Sequence, residues 1–68
     1  MMKTITLNGQ QQTFSNEVNT IDQLLQYLQL TDRILIVEKN KQILNKDEYD
    51  QPILDRDQIE IIHFAGGG

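Results

Sequence analysis

The apolar positions change spacing along the chain, and each change predicts a new element. In residues 3–8, KTITLN, Ile5 and Leu7 alternate with Thr4, Thr6 and Asn8. That period of two is the signature of a half-buried strand. Asn8-Gly9 follows, a pair suited to the positive φ angles of a type I′ turn. Residues 11–15 read as the return strand, with Phe14 as its core candidate. The period then lengthens: Ile21, Leu24, Leu25 and Leu28 recur every three or four residues, while Asp22, Gln23, Gln26 and Gln29 fall mostly opposite. This predicts an amphipathic helix of about three turns, ending near Gln29 or Leu30. Thr20 and Gln23 have the spacing of a capping box, and Asp22 suits the positive end of the helix dipole.

Beyond the helix, residues 34–38 (ILIVE) form a run of aliphatic side chains too short for a helix and apolar on both faces, as in a buried strand. Residues 39–41 are a polar turn and residues 42–44 a short return strand. The polar stretch 45–52 has room for one helical turn around residues 47–49. Ile53-Leu54 is an apolar anchor, residues 55–57 a turn, and residues 58–64 (QIEIIHF) the last strand. A helix that follows a hairpin and crosses one sheet face by the right-handed rule gives an α+β architecture. We therefore expect a β-grasp (ubiquitin-like) domain over residues 1–64, a mixed sheet of four to five strands with one main helix on one face. Residues 65–68 are expected to form a flexible glycine tail.

Composition removes several functions. The chain has no cysteine and a single histidine, His63, so neither a disulfide nor a structural zinc site is expected. The formal charge of −4 opposes nucleic-acid binding and favours a partner with a basic docking surface. No window is apolar enough to span a bilayer and the N-terminal pattern is not that of a signal peptide, so a cytoplasmic protein is expected. No catalytic set can be assembled: His63 and Ser15 lack a third member, and His63 reads as a surface residue. The carboxylates Asp47, Glu48, Asp50, Asp55 and Asp57 lack the spacing and central glycine of a calcium loop and read as a solvated acidic edge.

The last strand and the tail carry the remaining signal. Ile59, Ile61 and His63 share one side, and Gln58, Glu60, Ile62 and Phe64 the other. With Ile59 and Ile61 against the helix, Ile62 and Phe64 emerge on the uncovered face as partner-docking residues. Either Leu35 and Val37 or Ile34 and Ile36 would extend that patch. Ala65, Gly66 and Gly67 offer a slim segment of about 13 Å with Gly68 included, narrow enough to thread a channel. At its end the Gly68 carboxylate is a poor electrophile until activated, for instance by ATP as an acyl-adenylate. A sulfur nucleophile would then leave a thiocarboxylate, and an amine would leave an isopeptide.

The hairpin with Asn8-Gly9, the capped TIDQLLQYLQL, ILIVEKN, NKDEY and the closing DRDQIEIIHFAGGG together resemble the ThiS family of sulfur carriers in thiamin biosynthesis. The resemblance spans nearly the whole chain. It departs at Arg56, where the family often has Gly, and at Tyr49, where it often has Trp. It implies a protein co-substrate, not an enzyme, with no cofactor bound. Gly68 would be adenylated with ATP by a ThiF-type enzyme and converted to a thiocarboxylate with sulfur drawn from cysteine through a desulfurase. The loaded end would then supply the thiazole synthase ThiG. A MoaD-like small subunit of molybdopterin synthase and a ubiquitin-like modifier are the alternatives.

Overall fold

The structure is a computed structural model that describes residues 2–64. Its order is β1 (Met2–Leu7), β2 (Gln10–Ser15), α1 (Ile21–Tyr27), β3 (Leu35–Lys39), β4 (Gln42–Leu44), a 3-10 turn (Lys46–Glu48) and β5 (Gln58–His63). The strands form one sheet in the order β2-β1-β5-β3-β4. β1 and β5 run parallel at its centre, and the other pairings are antiparallel. This is the expected mixed sheet, with five strands among the described residues.

Local chemistry accounts for each element. Asn8 and Gly9 take φ of 50° and 83°, as a type I′ turn requires. The Asn8 side chain does a second job: its Oδ1 accepts the Ile61 amide at 2.8 Å, extending the β1–β5 ladder past the point where β1 turns away. At the helix start, Gln23 N donates to Thr20 Oγ1 at 3.1 Å, and Gln23 Oε1 accepts from Thr20 N at 3.1 Å. Ile21 and Asp22 donate to the carbonyls of Gln51 and Tyr49. The first-turn amides are thereby satisfied and the 49–53 segment is tied to the helix.

The helix is shorter than its apolar period suggests. It stops at Tyr27, and Gln29 turns to φ 60°. Leu30 N then donates to Leu25 O at 2.8 Å and Gln29 N to Gln26 O at 3.1 Å, the paired bonds of a Schellman ending. Leu28 and Leu30 continue the apolar pattern by packing partly against the core without being helical.

Ile5, Leu7, Phe14, Ile21, Leu24, Val37, Leu44, Ile53, Ile59 and Ile61 fill the space between helix and sheet. Leu54 is exposed, so only Ile53 of the expected anchor is buried. Lys3 lies on the core face of β1, 6% exposed, with Nζ donating to Ile53 O at 3.1 Å. Tyr49 is buried too. Burial, and next the Asp22 carboxylate, push its phenol above the usual value, so it is neutral packing material and not a proton donor at physiological pH.

The turn into β5 carries one strained residue. Arg56 adopts φ 73°, which costs a residue with a Cβ about 1–2 kcal/mol. Its guanidinium is 3.8 Å from Asp55 with the side chain 89% exposed, a pair of little worth in solvent. Arg56→Gly is therefore expected to stabilise the domain by roughly 0.5–1 kcal/mol after glycine's own entropy is counted. Thermal melting would register this as a rise of a few degrees, and a fall would show that the Asp55 pair matters more than the strain.

Candidate functional site

The helix covers one face of the sheet, and none of the described residues covers the other. In β5, Ile59 and Ile61 are buried while Glu60 and Ile62 point away. Register places Ile36 of β3 opposite Ile62. One step further on, Phe64 N donates to Ile34 O at 3.1 Å, so the two strands stay together past the end of the ladder. Ile34, Ile36, Ile62 and Phe64 are 78%, 37%, 45% and 59% exposed. With the exposed Ile43 of β4 they form a contiguous apolar patch on the open face, where β5 runs out. Of the two extensions expected for the patch, Ile34 and Ile36 supply it, whereas Val37 is buried and Leu35 packs partly on the core.

A polar lock fixes where β5 begins. The Asp57 carboxylate, 8% exposed, accepts from Leu54 N at 2.9 Å and Asn40 Nδ2 at 3.1 Å, with Lys39 Nζ 3.9 Å away. Asn40 Oδ1 accepts from Gln58 N at 2.9 Å, and Asp55 Oδ1 from Thr4 N at 2.7 Å. The expected acidic edge thus splits in two. Asp47 and Asp50 are exposed, Glu48 is half-buried and caps the 3-10 turn through Asn45 N at 2.8 Å, and Asp55 and Asp57 hold the strand entry. Sequence spacing could not separate these roles, because besides the nearby Leu54 amide the donors around Asp57 come from Lys39 and Asn40, far away along the chain.

His63 is exposed, opposite Leu35, as a surface residue should be. Ser15 Oγ accepts from Glu17 N at 3.2 Å, a local turn bond. Among the described residues there is no group of three or more metal-binding side chains, and no helix is long and apolar enough to cross a membrane. Gly68, and the threading segment Ala65, Gly66 and Gly67, lie outside the described residues. Chemically, the described domain offers an exposed apolar face at the end of β5.

Residues 5–68 match the ThiS family. The chain is 45% identical over 65 residues to the sulfur carrier protein ThiS of Bacillus subtilis, covering 94% of this chain and 98% of that one. It is 37% identical over 65 residues to a thiazole synthase of Paramagnetospirillum magneticum, where the similar part is 20% of that protein's length. The crystal structure of a thiamine biosynthesis protein (ThiS) from Geobacter metallireducens superposes with a TM-score of 0.78 at 28% identity, covering 96% of this chain and 99% of that one.

Proposed function

This chain belongs to the ThiS family, and from that premise we infer that its Gly68 carboxylate is the group on which it carries sulfur. The chain is a sulfur carrier of thiamine biosynthesis, a co-substrate and not an enzyme. A ThiF-type enzyme transfers AMP from ATP to the Gly68 carboxylate and releases pyrophosphate. A persulfide, formed from cysteine by a desulfurase, displaces AMP to give an acyl disulfide, and a thiol then cleaves the S–S bond, forming a new disulfide and leaving the thiocarboxylate. The acyl-adenylate is needed because an ionised carboxylate resists nucleophilic attack. A ThiG-type thiazole synthase takes the sulfur. Residues 1–64 are the domain these enzymes grip, and residues 65–68 are the part they thread.

The observation that carries this reading is the match to a sulfur carrier along nearly the full length of both chains. The open patch supports it, because large apolar side chains beside the root of the tail suit a face that enzymes bind in turn. The thiazole synthase of which about a fifth resembles this chain supports ThiG-type partnership. Intact-mass measurement of the chain from its native host tests it. A fraction heavier by one oxygen-for-sulfur exchange, located on the C-terminal peptide, is expected. A terminus that stays a carboxylate when the activating enzyme, desulfurase, cysteine, a thiol reductant and ATP are supplied would refute it.

A further inference from the structure

The strand register puts two carboxylates where a free-standing sheet would avoid them. Glu38 of β3 lies directly opposite Glu60 of β5, both on the open face, one step along the ladder from the Ile36–Ile62 pair. Side chains directly opposite in an antiparallel pair have Cβ atoms about 4.5–5.5 Å apart, and like charges there are destabilising. No compensation is present: the ion pairs among the described residues are Lys39–Asp57 and Arg56–Asp55. Across β4 the residue facing Glu38 is Ile43, which brings no charge. On the other flank of Glu60 the surface dips into a hollow of about 160 Å³ bordered by Thr6, Gly9 and Gln58, again without a cation. The pair is not a metal site, since no third ligand stands with it.

We propose that Glu38 and Glu60 receive between them, on the open face, an arginine or lysine of the thiazole synthase, while an apolar side chain of the same enzyme covers Ile36 and Ile62. This deepens the docking reading above and rests on it. The charge arrangement selects the occupant. A second copy of this chain would bring the same two carboxylates and a net charge of −4, and like charges brought together at an interface are repelled. A cationic group instead relieves a repulsion already present in the free carrier. The apolar and acidic halves are adjacent on the same two strands, so a partner reads both in one approach.

The test is the double variant Glu38→Gln/Glu60→Gln, which keeps size and hydrogen-bonding capacity while removing both charges. Association with the separately purified thiazole synthase of the same organism is followed from low to high salt. Wild type should associate faster at low salt and slow as salt rises. The variant should associate about tenfold more slowly at low salt with little salt dependence, and should melt at the same or a higher temperature than wild type. A variant that associates at the wild-type rate with the wild-type salt dependence overturns the proposal. Ile62→Asp is the companion. It should weaken binding at every salt concentration, so a wild-type chain that binds and an Ile62→Asp chain that binds equally well would overturn the docking face itself, separately from the charge pair.

Discussion

A chain cut after Gly66 should fold and melt like the full-length protein, yet give no thiocarboxylate and support no thiazole formation. The expected loss is complete, because the new carboxylate at Gly66 stops two residues, about 7 Å, short of the reach of Gly68. The described core lies entirely within residues 5–61, so removing Gly67 and Gly68 takes away no member of that core. Circular dichroism and thermal melting establish that the fold survives. Incubation with activating enzyme, ATP and sulfur source, read by mass spectrometry, establishes whether the shortened end is loaded. A loaded Gly66 end would show that the length of the tail is not required, and sulfur supplied from an end that stays a carboxylate would show that the terminal carboxylate is not the carrier.

Ile59→Ala should produce the largest loss of stability. Ile59 is fully buried on the central strand, facing Leu7 of β1 and Lys39 of β3 in register, and its carbonyl accepts the Asn8 amide at 3.0 Å. Truncating a buried isoleucine costs about 2–5 kcal/mol, the larger values where neighbours cannot collapse into the gap. A site clamped between two strands and a helix is such a place. For a chain of 68 residues, at roughly 0.05–0.15 kcal/mol per residue, this is a large share of the total. Urea titration should show the midpoint falling sharply with an unchanged slope, and a shift below about 1 kcal/mol would mean that the core repacks around the missing methyls.

The parts legible in the sequence were those decided by local chemistry. Asn8-Gly9 could be read as a turn because few pairs tolerate two positive φ angles, and the capping box because Thr20 and Gln23 need only each other. The face assignment of the last strand followed from period two, which placed Ile59 and Ile61 inside and Ile62 and Phe64 outside, as the structure has them. The helix end was hidden because Gln29, not glycine, takes the left-handed conformation, while Leu30 keeps the helical spacing of apolar residues. Lys3 was hidden for a related reason: the pattern puts it on the core face, but only the Ile53 carbonyl, fifty residues away in sequence, makes a buried ammonium tolerable there. The roles of Asp55 and Asp57, and the meeting of Glu38 with Glu60, needed the strand order, which no local pattern encodes.

That order has a mechanical consequence. β5 is flanked by β1 on one side and β3 on the other, parallel to the first and antiparallel to the second. Tension applied at Phe64 runs along the strand axis, so it loads both hydrogen-bond ladders in shear and cannot peel β5 off bond by bond from a free border. An enzyme that draws the end of the chain into its channel would therefore pull on an anchorage that resists as a unit, and the domain should arrive at the next enzyme undeformed.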